Sequence, residues 1–112
     1  MLKETSFHPK RGWDKNPYME NAIPIFVMRS TEHILSPSYS LLNDYKSGKI
    51  NWKEFSIRYI GEMQNERCKR EMLKIKELAN KKDVYLICAC NNERKECHRF
   101  ILMELINKIK EV

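Results

Sequence analysis

The sequence predicts a small α/β domain in which a parallel or mixed sheet is sandwiched between helices, close to a Rossmann-like fold. Residues 83–89 are nearly all apolar, which is typical of an internal strand covered on both faces. A polar loop, residues 91–95, separates them from an amphipathic helix. A buried strand followed by such a helix is half of a right-handed βαβ unit, which builds parallel sheets. With 112 residues, we expect one domain, 1–112.

Two further strands are predicted nearer the start of the chain. Residues 2–7 form a short candidate strand, and a polar loop is predicted over residues 8–21, which contain two prolines and a glycine. Residues 23–29 are a short apolar run, which reads as a buried strand that ends at Arg29.

Three helices are predicted between the second and the last strand. Ser36 followed by Pro37 indicates a helix start, and Gly48 indicates its end. Asn51 with Glu54 has the spacing of a capping box, and a third helix is predicted over residues 65–80. The apolar residues at helical spacing, which we expect in the core, are Leu41, Leu42, Tyr45, Trp52, Phe55, Tyr59, Met63, Cys68, Met72, Ile75, Ala79, Ile101, Leu102, Leu105, Ile106 and Ile109.

The composition is that of an ordinary globular protein, with 42% hydrophobic and 32% charged residues. No apolar run is long enough to span a bilayer, and the first eleven residues lack a signal-peptide core, so we expect a cytoplasmic protein without a membrane partner. Four cysteines without an export signal argue against a secreted disulfide framework. The use of Lys, Ile and Glu suits a hyperthermophilic source, in which intracellular disulfides do occur.

The net charge of +6 is concentrated in residues 3–15 and in the third predicted helix. Such a charge favours polyanions by long-range attraction, so Lys69, Arg70 and Lys74 are candidate nucleic-acid contacts. The alternative interpretation is a solvated, Lys-rich helix face that serves solubility.

The candidate site follows from the order of strands and helices. Cys88 lies near the carboxyl end of its strand, and Cys97, His98 and Arg99 open the next helix. Ligands of open α/β sheets bind outside the carboxyl ends of the strands, where helix N-termini attract anions. Arg29, at the end of the earlier strand, is predicted to reach the same crevice, so Arg29 and Arg99 are the predicted anion-binding pair.

Cys97 is the candidate nucleophile or redox thiol, because a helix N-terminus and nearby arginines lower the pKa of a cysteine. Cys88, Cys97 and His98 are the predicted catalytic residues, with His98 as a proton-transfer partner. Adjacent helical residues point about 100° apart, however, so Cys97 and His98 need not touch. The expected ligand is a small anionic or phosphorylated molecule, and neither a cofactor nor a metal is predicted.

Four alternatives remain open for these cysteines. Cys88 and Cys97 could form a disulfide. Zinc could be held by these two with Cys90 and His98, although paired C-x-x-C knuckles are missing. Residues 88–94 match the C-x5-R spacing of a cysteine phosphatase loop but contain no glycine. Finally, the cysteines could be packing residues and Arg99 a charge on the helix surface; Cys68 is predicted to be such a core thiol.

The chain resembles the family called domain of unknown function 488, in its compact branch. The residues that carry the resemblance are Leu86, Ile87 and Cys88, followed after a polar loop by Cys97, His98 and Arg99. Upstream, the same family's middle is matched by residues 36–38, 41–42, 45–50 and 52–55, and by Tyr59 and Met63. The likeness covers residues 23–106. That family has no settled activity.

The resemblance implies an α/β fold and a shared site that contains Cys88, Cys97, His98 and Arg99. Arg29 matches an arginine that many members carry after Asp-Val, where this chain has Val27 and Met28. Members also commonly place Glu two residues after the strand cysteine, where this chain has Cys90. Two carboxylates typical of the family are therefore missing.

Overall fold

The computed structural model describes residues 1–6, 22–28, 32–88 and 97–109. Its strands are β1 (Leu2–Ser6), β2 (Ile23–Phe26) and β3 (Val84–Cys88), and its helices are α1 (Tyr39–Lys46), α2 (Trp52–Glu62), α3 (Glu66–Lys81) and α4 (His98–Asn107). The strands form one sheet in the order β1-β3-β2, and both pairings are parallel. This architecture confirms the predicted α/β class with a parallel sheet.

The central strand β3 is buried along its whole length, as its apolar sequence predicted. Val84 and Leu86 face a core to which all four helices of the described residues contribute. Tyr85 and Ile87 face the other way and pack against Ala22 and Phe26. The predicted helical layer is therefore confirmed on one face of the sheet. The loops predicted over 8–21 and 91–95 lie outside the described residues.

The helix boundaries follow the predicted end signals at two of three places, Gly48 and Asn51. Asn51 and Glu54 form a reciprocal capping box at α2, and the Asn65 side chain accepts a hydrogen bond from the Cys68 amide at the start of α3. Gly48 follows α1 with a φ of 82°, a left-handed conformation that glycine adopts without steric cost.

The predicted start of α1 is wrong by two residues. Its N-cap is Ser38, whose hydroxyl accepts from the Leu41 amide at 3.2 Å. Ser36 instead donates its hydroxyl to the His33 carbonyl in the preceding turn. The Glu62 carboxylate, which accepts hydrogen bonds from the Ser38 amide and hydroxyl, favours the later start. No helix of the described residues is long and apolar enough to cross a membrane.

Candidate functional site

The sheet and α4 bring Cys88 and Cys97 together at the carboxyl edge of β3. Cys88 is the last residue of that central strand, and Cys97 is the N-cap of α4. Both side chains are buried, and both pack in one cluster with Met28, which follows β2. The parallel topology produces this meeting, because the ends of β2 and β3 and the beginning of α4 lie at one edge of the sheet.

His98 contacts both thiols through one ring nitrogen. Its Nδ1 lies 3.9 Å from the Sγ of Cys88 and 3.9 Å from the Sγ of Cys97. Its Nε2 lies 2.6 Å from the Val27 carbonyl oxygen. A carbonyl only accepts hydrogen bonds, so Nε2 is the protonated donor and the lone pair of the neutral ring is on Nδ1, toward the sulfurs.

Cys97 and His98 meet although they are adjacent in sequence. The angular separation of neighbouring helical residues does not apply to them, because Cys97 precedes α4 with an extended backbone, φ −145° and ψ 140°. The N-cap conformation turns the Cys97 side chain back toward the imidazole.

Tyr59 supports the imidazole from the helical side. Its ring packs edge-on against His98 with 5.6 Å between the ring centroids, and its hydroxyl donates to the Leu35 carbonyl at 2.5 Å. Burial raises the pKa of Tyr59 well above its ordinary value, so this phenol stays neutral. Tyr59 was predicted only as a core residue, and its contact with His98 is a finding of the structure.

Arg99 is buried and paired, so its alternative assignment as a surface charge is wrong. Its side chain is 1% exposed, and its Nε donates to Oε2 of Glu4 at 2.5 Å. Its Nη1 donates to the Sγ of Cys97 at 3.7 Å, and its guanidinium lies 4.6 Å from the centroid of the Phe100 ring. Arg99 therefore connects β1, the N-cap thiol and α4.

Glu4 was not among the residues predicted for the site. This residue lies opposite Leu86 in the β1–β3 register, which places it near the face that the helices cover. A carboxylate at such a position needs a cationic partner, since burying an unpaired charge is costly. The alternation of Leu2, Glu4 and Ser6 in β1 was the signal available, but nothing in the sequence identifies Arg99 as the partner.

The structure gives no support to the disulfide hypothesis. No disulfide bond involves Cys68, Cys88 or Cys97, and the sulfurs of Cys88 and Cys97 each contact Nδ1 of His98. Cys68 is the core thiol that its helical position predicted, buried with its Sγ 3.5 Å from the Ile34 carbonyl.

Some candidate residues cannot be placed. Arg29, Cys90 and Arg94 lie outside the described residues, so the predicted Arg29 contact, the C-x5-R loop and a four-ligand zinc set stay predictions. Among the described residues, Cys88, Cys97 and His98 are the group whose ligand atoms lie close enough together to hold a metal ion.

The candidate nucleic-acid contacts of α3 lie on its exposed side. Lys69, Arg70 and Lys74 are exposed, and none of them forms a salt bridge within the described part of the chain. The buried stripe of the same helix, Cys68, Met72 and Ile75, faces the core.

Comparison with protein-family models matches residues 27–110 to the model described as "DUF488-N3a: Active DUF488-N3 subclade". The matched span contains Cys88, Cys97, His98 and Arg99 but begins after Glu4. No curated protein and no solved structure gives a significant match.

Proposed function

The chain belongs to the DUF488 family, and from this premise we propose that it is a cysteine-dependent enzyme that acts on a small anionic or phosphorylated molecule, such as a nucleotide. The observation that carries the proposal is the position of the His98 imidazole, with Nε2 on the Val27 carbonyl and Nδ1 beside the two thiols. A base fixed by a hydrogen bond on its far nitrogen is the arrangement that activates a nucleophile. The matched subclade is described as active, which agrees with a retained site.

Cys97 is the proposed nucleophile of the two thiols. Its sulfur accepts a hydrogen bond from Nη1 of Arg99, and it is the N-cap of α4. A guanidinium and the positive end of a helix both stabilise a thiolate. In the proposed step, the Cys97 proton moves to Nδ1 of His98, the sulfur bonds to the electrophilic atom of the substrate, and the departing group takes the proton from the imidazolium.

The proposed anion cleft rests on different groups from those first expected. Arg99 already has the Glu4 carboxylate as its counter-ion, so it contributes less net attraction to an external anion. The N-terminus of α4 and Arg29, which directly follows the site residue Met28 in the chain, are the remaining attractive groups. The N-terminus of α4 lies at the carboxyl edge of the sheet, where α/β proteins bind phosphorylated ligands.

Alkylation of the thiols by iodoacetamide, followed by peptide mass spectrometry, tests the nucleophile. Cys68 is an internal control, because it is 4% exposed and Cys97 is 6% exposed, whereas only Cys97 contacts His98 and Arg99. At pH 7, in the presence of a chelator, we expect Cys97 to react at least about 10-fold faster than Cys68, as a thiolate does. The substitution His98→Gln should remove most of this difference. Equal rates for the two thiols would refute the proposed nucleophile.

Two measurements with the same protein test the anion cleft. First, the ratio of the alkylation rate by anionic iodoacetate to the rate by neutral iodoacetamide should be higher at Cys97 than at Cys68. Second, inorganic phosphate or AMP should slow the alkylation of Cys97 but not that of Cys68. Both effects should weaken in Arg29→Gln. If Cys97 reacts faster than Cys68 but neither anion slows its alkylation, the result supports Cys97 as the nucleophile and contradicts the proposed anion-binding cleft.

A nucleic-acid-binding role is the second candidate, supported by the exposure of Lys69, Arg70 and Lys74 on α3. Reversing these three charges should abolish salt-dependent retention on RNA or DNA, while Cys97→Ser should leave it unchanged. Retention that does not respond to the three reversals would exclude α3 as the interface.

A further inference from the structure

We propose that Cys88, Cys97 and His98 form a binding site for a thiophilic divalent cation, with Zn2+ as the ion. Their ligand atoms all lie within 4.8 Å of one another, and they come from the end of β3 and the beginning of α4. The inference departs from the sequence-based prediction of no metal, and it does not depend on the proposed enzymatic function.

The donor set is one that zinc prefers. Two thiolates and one imidazole occur in tetrahedral zinc sites, with zinc about 2.3 Å from sulfur and about 2.0 Å from nitrogen. Those lengths separate the ligand atoms of a tetrahedral site by about 3.5 to 3.8 Å. In the structure, His98 Nδ1 lies 3.9 Å from each sulfur and all three ligand atoms lie within 4.8 Å of one another. Side-chain rotations that bring these atoms closer by at most about 1 Å would complete the tetrahedral geometry.

The second nitrogen of His98 is already fixed as a metal site requires. A histidine that ligates a metal usually donates its other ring N–H to a carboxylate or a backbone carbonyl, which fixes the tautomer and the ring orientation. His98 donates Nε2–H to the Val27 carbonyl at 2.6 Å, which leaves Nδ1 as the ligand atom. The ring does not need to turn to receive the ion.

The charges of the buried site also balance. Two thiolates and one divalent cation sum to zero, so binding leaves no net charge in a buried place. The neighbouring cation, Arg99, has its own counter-ion in Glu4, and its Nη1 donates to the Cys97 sulfur in the way that second-sphere groups contact metal-bound thiolates.

Three protein ligands leave one tetrahedral position for water or another ligand, as in catalytic zinc sites. The missing C-x-x-C knuckles, which argued against zinc in the sequence, are not required here. The strand end and the helix N-cap supply the sulfurs from residues nine positions apart, and the sheet topology brings them together.

Titration of the metal-free protein with Co2+, followed by displacement with Zn2+, tests the site. Co2+ should give thiolate-to-metal charge-transfer absorption that saturates at one equivalent, and Zn2+ should abolish it. Cys88→Ser, Cys97→Ser and His98→Gln should each weaken binding at least about 10-fold. Cys68→Ser, which removes a buried thiol elsewhere in the core, should bind like the wild type.

Absence of charge-transfer absorption in the wild-type protein would overturn the proposal, whatever the variants do. Binding that all four variants retain would overturn it as well, since the ion would then be held elsewhere. Circular dichroism confirms that each variant is folded, and Zn2+ should raise the melting temperature of the wild type and Cys68→Ser but not of His98→Gln. The alkylation experiment contains a chelator, so its result is independent of this one.

Discussion

The ion pair between Arg99 and Glu4 offers a quantitative test of the site's architecture. The substitution Glu4→Gln keeps the shape and one acceptor oxygen of the side chain but removes the counter-charge of a guanidinium that is 1% exposed. Breaking a fully buried pair costs about 3–5 kcal/mol, and a hydrogen bond to a charged group contributes about 1.5–3 kcal/mol. Because Glu4 is 30% exposed and the amide oxygen still accepts, we expect a loss of about 2–3 kcal/mol in the free energy of unfolding.

The pair of Arg58 with Asp44 is the matched control. Asp44 is 29% exposed, nearly the same as Glu4, but Arg58 is 40% exposed. Asp44→Asn should therefore lower the free energy of unfolding distinctly less than Glu4→Gln does, because solvent screens an exposed pair. Urea denaturation measures both losses as shifts of the midpoint at an unchanged slope. Equal decreases in the free energy of unfolding in the two variants would contradict the prediction, because the burial of the arginine would then make no difference to the stability of the pair.

Three further predictions concern individual buried or capping contacts of the fold. Burial lowers the pKa of His33 from its ordinary value of 6.5, against the opposing effect of Glu71. As the pH falls, His33 therefore takes up a proton in the unfolded chain before it does so in the folded protein, and the free energy of unfolding should decrease below pH about 6.5. Urea denaturation at a series of pH values should show a smaller decrease in His33→Asn. The same dependence on pH in both proteins would contradict this prediction. Tyr59→Phe should lower the free energy of unfolding by about 1–2 kcal/mol, because it leaves the buried Leu35 carbonyl without this donor; a change in thermal stability near zero would contradict the contact. Ser38→Ala should lower the free energy of unfolding by about 1–2 kcal/mol, because it removes the side chain that caps α1. Thermal unfolding measures this change, and an unchanged stability would show that α1 starts at another residue.

The elements that the sequence predicted well are those determined by local rules. The capping box at Asn51 and the left-handed Gly48 are both decided within four residues of the helix end. The apolar run of β3 predicted a central, fully buried strand for a similar reason, since no polar side chain interrupts it.

The elements that could not be predicted depend on partners distant in sequence. Ser36 and Ser38 both resemble N-caps, and Glu62, which binds Ser38, lies 24 residues further along the chain. Glu4 and Arg99 are 95 residues apart, so only the β1–β3 register and the packing of α4 bring them together.

The candidate site was predicted in its location but not in its contacts. Strand order and alternation were enough to bring Cys88, Cys97, His98 and Arg99 to one edge of the sheet. The hydrogen bond from His98 to the Val27 carbonyl spans 71 residues, and no pattern in the sequence identifies it.

The protonation of the His98 ring tests the premise that the nucleophile and the metal site share. Nitrogen-15 NMR of the metal-free protein distinguishes the two ring nitrogens. Because Nε2 faces the Val27 carbonyl oxygen, the structure requires a proton on Nε2 when the ring is neutral. The same nitrogen is protonated when the ring is an imidazolium paired with a thiolate. A neutral ring with its proton on Nδ1 would contradict both proposals, because that nitrogen could then neither accept the Cys97 proton nor ligate an ion.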